Sequence, residues 1–207
     1  MLRYVLAALM LTAPVLAGGP ALAEKAYVAG GCFWCVEKDF ESIPGVREVV
    51  SGFMGGKSAD PTYASHGDHL EAVEIDYDPA KVSYPELMRL FLRSIDPTDA
   101  GGQFCDRGNS YRSAIFVQNG EERAAAEAAL AEAGKALGAA IVTPVAEAGT
   151  FYPVDAYHQD YYKSSDIILT RFGPKSKAAA YMLYRKGCGR DARVLELWGE
   201  AAPFAGH

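Results

Sequence analysis

Residues 25–54 read KAYVAGGCFWCVEKDFESIPGVREVVSGFM and contain three predicted elements in succession. The apolar run at 25–29 predicts a buried strand. Residues 32–43 predict a helix, because their apolar side chains recur three and four positions apart. A Pro-Gly pair ends that helix, and residues 46–54 predict a second strand. A strand, a helix and a strand in this order are typical of a sheet covered by helices.

The chain continues the alternation of strands and helices. Residues 70–77 alternate polar and apolar side chains, which predicts a strand with one buried face. Ser83 followed by Glu86 forms a capping box, so we expect a helix to begin there. The patterns further along predict a strand at 111–118, an alanine-rich helix at 121–137 and a strand at 141–147.

The order strand, helix, strand, strand, helix, strand predicts an α+β fold. We expect a two-layer sandwich with a mixed or antiparallel sheet, built on a ferredoxin-like split β-α-β core. Beyond Thr150 the chain is expected to be mostly helical, including residues 155–162 and 175–185. With no repeat or linker, residues 24–207 are predicted to form one domain. Its core would span about 26–162 and a C-terminal helical extension about 163–207.

The composition narrows the class of partner. Half of the 207 residues are hydrophobic and 22% are charged, which favours one sizeable core. The 26 acidic residues outnumber the 20 Lys and Arg residues, giving a formal net charge of −6. Without a basic run, the chain lacks the pattern of a protein that binds nucleic acid or an anionic membrane. We expect a small neutral substrate and a monomeric protein.

The first 23 residues have the pattern of an export signal. Arg3 supplies a positive start, residues 4–16 are almost wholly apolar, and Ala21-Leu22-Ala23 has the small-x-small form of a signal-peptidase site. A retained membrane anchor is the competing interpretation, but prolines and glycines interrupt the apolar run short of the ~20 residues that a spanning helix needs. We therefore predict cleavage before Glu24 and export, to the bacterial periplasm.

The four cysteines are Cys32, Cys35, Cys105 and Cys188. In an oxidising compartment an even number favours structural disulfides. Two cysteines three residues apart at a helix start instead suit redox exchange, because the free N–H groups and dipole there favour a thiolate. Cys32 is therefore a candidate nucleophile, predicted to be ionised. Cys105 is expected to be a small buried hydrophobic residue.

Several separated motifs occur in one specific order. They are GCFWCVE at 31–37, SGFMGG at 51–56, PTY at 61–63, HLE at 69–71, YRS at 111–113 and YHQDY at 157–161. Together they resemble the A-type peptide-methionine sulfoxide reductases over about residues 26–162. The resemblance implies thiol-dependent reduction of the S-epimer of methionine sulfoxide, free or in proteins. It also implies a thioredoxin-like dithiol as external reductant and no bound cofactor.

The resemblance also implies roles for individual residues. Glu71 matches a glutamate that burial would keep protonated, so that it can give its proton to the departing oxygen. Tyr63 and Tyr111 match two tyrosines whose hydroxyls polarise that oxygen. Asp106 matches an aspartate to which we assign the orientation of the site.

The chemistry can also be built from the residues themselves. Attack of the Cys32 sulfur on a sulfoxide would release methionine and leave a sulfenic acid. Phe33 and Trp34 would form an aromatic wall for the S-methyl group, although such rings are more often core. A second thiol must then form a disulfide with Cys32. Cys35 is favoured because it lies on the same helical turn, and Cys188 between two glycines is the alternative.

Two other classes of protein use these residue types. A general disulfide oxidoreductase also carries C-x-x-C at a helix start, but two large aromatics between its cysteines would be unusual. A metal-binding module could recruit the C-x-x-C pair together with His66, His69 or His158. The chain lacks the second C-x-x-C or H-x-x-x-H that such a module needs, so we expect no metal site.

Overall fold

The computed structural model describes residues 23–171 and 173–206. The predicted export signal therefore lies outside the described residues, apart from Ala23. Within the described ranges, no helix is both long and apolar enough to cross a membrane. The helices and strands in chain order are β1 (Glu24–Gly30), α1 (Phe33–Glu41), β2 (Val46–Met54), β3 (Leu70–Tyr77), α2 (Tyr84–Ser94), β4 (Gly102–Gln103), β5 (Asp106–Arg107), β6 (Ser113–Val117), α3 (Gly120–Leu137), β7 (Val145–Glu147), β8 (Tyr152–Pro153), β9 (Ile167–Thr170), β10 (Gly173–Ser176), α4 (Lys177–Cys188) and α5 (Arg190–Trp198).

The central sheet has six strands in the order β7-β6-β1-β3-β2-β8. Neighbouring strands are antiparallel except β6 and β7, which run parallel. The inner strands β6-β1-β3-β2 have the order of a ferredoxin-like split β-α-β unit, in which α1 and α2 make the crossovers. The predicted α+β fold with a mixed sheet is confirmed.

The main core lies between the sheet and its helices. Strand residues such as Val28 and Ile75 pack there with Phe40 of α1 and Phe91 of α2, all less than 2% exposed. Each fully buried side chain of this size stabilises the fold by roughly 1.5–3 kcal/mol. The opposite face of the sheet carries a smaller cluster of Phe116, Met54 and three alanines. Packing against the sheet therefore fixes α1, whose N-terminus faces the candidate site.

The ends of the predicted elements are set by local chemistry. Ser83 caps α2 and accepts a hydrogen bond from the Glu86 amide at 3.4 Å, as the capping box predicted. Before α1, Gly31 has a φ of +80°, and a Cβ there would lie 2.6 Å from the Cβ of Gln103. Only glycine fits this turn, so the Gly-Gly pair sets the point at which the chain leaves the sheet, just before Cys32.

The predicted helix at 155–162 is wrong. These residues form a series of turns held by side chains from distant parts of the chain. The side-chain amide of Gln159 accepts a hydrogen bond from the Ser51 N–H at 2.9 Å and donates one to the Ser51 C=O at 2.8 Å. The backbone N–H of Asp160 donates to the Glu37 carboxyl at 2.7 Å. Contacts with Glu37 and Ser51, both on distant elements, therefore stabilise the turns in place of a helix.

The predicted helix at 175–185 is partly wrong. Its first residues belong to a two-stranded hairpin, β9–β10, and α4 begins only at Lys177. The Ser176 hydroxyl accepts a hydrogen bond from the Ala179 amide at 3.1 Å and so caps α4. The strand predicted from residue 111 begins at Ser113, because residues 109–111 form a 3-10 turn. The strand predicted at 141–147 is limited to Val145–Glu147.

Candidate active site

Cys32 lies at the N-terminus of α1, where the sequence predicted it. It is the N-cap residue, yet its side chain makes no capping hydrogen bond. The first free amide of the helix, that of Phe33, donates instead to the Glu71 carboxyl at 3.0 Å. Glu71 on β3 therefore occupies the positive end of the helix dipole, directly beside the thiol.

The two thiols of the C-x-x-C pair are buried and share a hydrogen bond. Cys32 is 5% exposed and Cys35 is 2% exposed. Burial, followed by the neighbouring Cys35 and Glu71, raises the pKa of the Cys32 thiol well above its usual range. The hydrogen bond from Cys32 lowers the pKa of Cys35 to about 7, and the charges of Arg190 and Arg185 act in the same direction. Burial therefore opposes the ionised Cys32 that the helix N-terminus was predicted to favour, and the two hydrogen-bonded thiols titrate as a pair.

Glu71 has the environment of an acid. It is 2% exposed, and this burial raises the pKa of its carboxyl to about 8, with the Asp106 charge adding to the shift. The hydrogen bond from the Phe33 amide opposes the shift but does not cancel it. At neutral pH the carboxyl is mostly protonated, as the sequence resemblance implied.

Tyr63 and Tyr111 approach the same point from two loops. The loop that carries Tyr63 is joined to the 3-10 turn of Tyr111 by a hydrogen bond of 2.7 Å between His66 and Ser110. Both hydroxyls interact electrostatically with Glu71 and with Cys32. Burial raises the pKa of Tyr63 above its ordinary value and that of Tyr111 to about 12. Both therefore remain protonated hydrogen-bond donors at neutral pH.

Asp106 comes to the site on the short β4–β5 hairpin. The buried amide of Gln103 anchors this hairpin by bonding the backbone N–H and C=O of Asp96, both at 2.9 Å. The Asp106 carboxyl accepts a hydrogen bond from the hydroxyl of Tyr184 on α4, and burial raises its pKa. Tyr184 was not predicted to belong to the site, because it lies in the C-terminal extension, beyond the motifs that the sequence offered.

The two predicted aromatic residues lie in different surroundings. Phe33 is 1% exposed and belongs to the main core. Trp34 is half-buried and contacts the cluster that contains Cys32 and Cys35. Its ring stacks on Tyr161 with a centroid distance of 3.9 Å. An aromatic surface beside the thiols is therefore built from Trp34 and Tyr161, and sequence reasoning had assigned no role to Tyr161.

The other two cysteines are joined to each other. Cys105 and Cys188 form a disulfide, whereas Cys32 and Cys35 are free thiols. Cys105 is exposed, so the expectation of a small buried hydrophobic residue is wrong. The disulfide ties the C-terminal end of α4 to the turn of the β4–β5 hairpin, next to Asp106. Cys188 is consequently engaged in this state, and Cys35 is the free thiol beside Cys32.

A buried ion-pair network lies beneath the C-x-x-C pair. Arg185 donates to Asp39 at 2.7 Å, and both side chains are almost fully buried. Arg190 lies 4.0 Å from the same carboxylate and donates to the Gly30 carbonyl at 3.0 Å. Burial raises the pKa of Asp39, and the two arginines oppose that shift. Two positive charges from the C-terminal extension therefore lie close to Cys35.

The histidines considered as metal ligands are engaged in other contacts. His69 accepts a hydrogen bond from the Gly56 amide at 3.2 Å, and its other ring nitrogen bonds the Ser58 carbonyl at 2.8 Å. His158 stacks on Tyr63, with a centroid distance of 3.9 Å. Two clusters among the described residues bring possible ligand atoms within 4.8 Å of one another: Cys105 with Asp106 and Cys188, and Glu37 with Glu41 and Asp160. Neither cluster contains a cysteine of the C-x-x-C pair.

Comparison with known proteins adds an independent finding. The profile of the family described as "Peptide methionine sulfoxide reductase" matches residues 24–185. The peptide methionine sulfoxide reductase MsrA 2 of Rhizobium meliloti (strain 1021) is 44% identical over 208 residues, which cover 100% of this chain and 98% of that protein.

Solved structures share the fold. Methionine sulfoxide reductase A of Corynebacterium diphtheriae aligns with a TM-score of 0.60 and 33% identity, covering 70% of this chain and 76% of that one. Reduced Mxr1 from Saccharomyces cerevisiae aligns with a TM-score of 0.64 and 25% identity, covering 69% and 86%. The complex of Mxr1 with Trx2 aligns with a TM-score of 0.51 and 23% identity, covering 69% and 87%.

Proposed function

The chain belongs to the peptide methionine sulfoxide reductase family and is an enzyme that reduces methionine sulfoxide, and from this premise we propose which residues perform the reaction. The proposal rests on one observation above all. The carboxyl of Glu71 is bonded to the amide of Phe33, the residue that directly follows Cys32. A nucleophile and an acid with its pKa raised to about 8 therefore lie side by side in a buried site.

The first step is attack by Cys32 on the sulfoxide sulfur. Cys35, whose pKa is lowered to about 7 by the hydrogen bond from Cys32, takes the proton of Cys32 and so generates the attacking thiolate. Glu71 gives its proton to the oxygen as that oxygen leaves the substrate sulfur. The hydroxyls of Tyr63 and Tyr111 donate hydrogen bonds to the oxygen while its charge develops. The protonated oxygen then passes to the Cys32 sulfur as the new bond between the two sulfurs breaks, and its electron pair stays on the substrate sulfur. The products are methionine and a sulfenic acid on Cys32.

The second step closes a disulfide. The Cys35 thiol attacks the sulfenic sulfur of Cys32, and water leaves. Cys35 is proposed for this role over Cys188 because it is a free thiol that is already hydrogen-bonded to Cys32, whereas Cys188 forms a disulfide with Cys105. A dithiol donor then reduces the Cys32–Cys35 disulfide. We assign this role to a thioredoxin-like protein, since thiol exchange needs an external dithiol and Mxr1 forms a complex with Trx2.

The substrate orientation follows from the same surfaces. The S-methyl group would lie against Trp34 by dispersion, and the oxygen would point toward Glu71. One fixed placement of methyl and oxygen around a chiral sulfur selects one epimer, which we propose to be the S form. Free and protein-bound sulfoxides both present this methyl sulfoxide group. No step of the reaction requires a metal or a bound cofactor.

Single-turnover chemistry tests the assignment. The reduced enzyme is mixed with each epimer of a methionine sulfoxide, and released methionine is counted without added reductant. Cys32→Ser should release none. Cys35→Ser should release one equivalent and stop, while Cys105→Ser combined with Cys188→Ser should continue through many turnovers when a dithiol is supplied.

Three results would overturn parts of this assignment. Continued turnover by Cys35→Ser with a thioredoxin-type donor would remove Cys35 as the resolving thiol. Equal use of both epimers would remove the proposed orientation. A wild-type enzyme that reduces insulin disulfides but not methyl sulfoxides would be a general disulfide oxidoreductase.

We also propose that the enzyme is exported and works as a monomer. Support for export is the charged start, apolar run and small-x-small site within residues 1–23. Fractionation of a bacterial host with N-terminal sequencing should recover a periplasmic protein that starts at Glu24, and sedimentation should give the mass of one chain. Recovery of the uncleaved chain in the cytoplasm, or of a larger assembly, would contradict this.

A further inference from the structure

Tyr184 on α4 lies against the reacting groups. Its hydroxyl donates to the Asp106 carboxyl and lies within hydrogen-bond reach of the Cys32 sulfur. Its ring meets that of Trp34 edge-on, with centroids 6.4 Å apart. The nucleophile, the orienting carboxyl and the aromatic surface therefore share one neighbour, which comes from the C-terminal extension.

We propose that Tyr184 is a further catalytic residue, which holds Asp106 in the resting site and donates its hydrogen bond to the Cys32 thiolate as that thiolate forms. This inference rests on the proposed function, because it assumes that Cys32 is the nucleophile. A phenol has one proton to donate, so Asp106 and Cys32 compete for it. In the resting pair Cys32 shares a hydrogen bond with Cys35, and the phenol donates to Asp106. Once Cys32 loses its proton, its sulfur becomes the stronger acceptor.

The environment makes this hydrogen bond important. Cys32 is 5% exposed, so water cannot stabilise its thiolate as it would at the surface. The Phe33 amide, the nearest free donor at the start of α1, is already bonded to Glu71. Burial also raises the pKa of Tyr184 far above its ordinary value, so the phenol remains a donor across the working pH range.

The chain holds Tyr184 in place rather than leaving it to a mobile end. Its neighbour Arg185 is bonded to buried Asp39 at 2.7 Å. One turn further on, Cys188 is cross-linked to Cys105, the residue before Asp106. The disulfide therefore fixes the distance between α4 and the hairpin that carries Asp106. A donor positioned in advance needs little reorganisation when charge develops on the sulfur.

The test removes the hydroxyl oxygen of Tyr184 and leaves its ring in place. Tyr184→Phe is compared with Tyr162→Phe, because the hydroxyl of Tyr162 also donates to a carboxylate, but to that of Glu41. The rate of Cys32 alkylation by iodoacetamide is measured against pH, with the modified cysteine located by tandem mass spectrometry. Tyr184→Phe should move the midpoint of Cys32 reactivity upward by about one pH unit and slow alkylation about tenfold below it. Tyr162→Phe should leave the midpoint unchanged.

A second variant and a second assay complete the test. Cys105→Ser with Cys188→Ser frees the end of α4 without touching the phenol, and should shift the Cys32 midpoint in the same direction by a smaller amount. Single-turnover methionine release should slow about tenfold in Tyr184→Phe. An unchanged midpoint, or faster methionine release, would overturn the proposal, and the latter would mean that Tyr184 obstructs the substrate. Alkylation uses no sulfoxide, so the pH dependence of Cys32 reactivity can still be measured if the proposed reduction of sulfoxides is wrong.

Discussion

Replacing Glu71 with glutamine should slow the enzyme while making it more stable at alkaline pH. The amide oxygen of the substituted side chain can still accept the hydrogen bond from the Phe33 amide, so the start of α1 is preserved. The new side chain cannot give a proton to the leaving oxygen. General-acid catalysis contributes roughly 10²- to 10⁴-fold, and we expect single-turnover methionine release to fall by about 10³-fold at pH 7. With the pKa at about 8, about nine in ten wild-type molecules carry the required proton at that pH.

The change in stability follows from the same pKa. Folding raises the pKa of Glu71 from 4.5 to about 8, so between these values the folded protein binds a proton that the unfolded chain has lost. The contribution to stability is fully present below pH 4.5 and is lost as the pH rises through 8, by about 1.4 kcal/mol per pH unit. Glu71→Gln has no such titration. The difference in the free energy of unfolding, variant minus wild type, should therefore rise by roughly 4 kcal/mol from pH 5 to pH 8.

The two effects are measured on the same samples. Methionine release is followed in single turnovers from pH 5.5 to 9.5, and urea unfolding is followed at pH 5 and pH 8. The wild-type rate should fall above pH 8, where Glu71 loses its proton. Glu48→Gln, a change at an exposed position of the neighbouring strand β2, serves as the control for the lost charge. A Glu71→Gln enzyme with the wild-type rate, or with the wild-type dependence of stability on pH, would refute the reasoning.

Two further predictions concern the interactions that hold the C-terminal extension. Asp39→Asn leaves Arg185 without its buried partner and should lower the free energy of unfolding by about 3 kcal/mol, whereas Glu132→Gln, at an ion pair about half exposed, should cost less than about 1 kcal/mol. Equal losses in urea unfolding would contradict the importance of burial. Removing the Cys105–Cys188 cross-link, whose ends are 83 residues apart, should lower stability by about 4.5 kcal/mol in the chain-entropy model. The double serine variant should then match the reduced wild-type protein, and a loss confined to the variant would point to a packing role for the sulfurs.

The parts of the fold that the sequence predicted are those governed by neighbouring residues. The apolar periodicity of α1 and the Ser83 cap of α2 are local, and both are found as expected. The turns at 155–162 depend on Glu37 and Gln159, whose partners lie more than 100 residues away in the chain. No pattern within the segment carries that information, so its helical appearance was misleading.

In the candidate site, too, the features carried by local motifs were predicted and those that depend on tertiary packing were not. Glu71, Tyr63 and Tyr111 were found from motifs, and the structure brings them together at Cys32. The raised pKa of the Cys32 thiol was not predictable, because the argument from the helix N-terminus considered only nearby backbone groups. Burial of Cys32, and the use of the free amide by Glu71, reverse that argument. The pairing of Cys105 with Cys188 likewise depends on the packing of α4, which spacing alone does not determine.

The C-terminal extension completes the charge balance on which the proposed first step depends. Asp39 and the Cys35 thiolate place two negative charges in a buried region, and Arg185 and Arg190 supply two positive charges there. Without the arginines, a thiolate beside Asp39 would be unpaired in a medium of low dielectric constant, and its proton would return. Cys35 could then no longer accept the proton of Cys32. Arg190 lies outside the residues 24–185 that match the family, so the proposed acid-base arrangement includes a side chain from beyond the matched region.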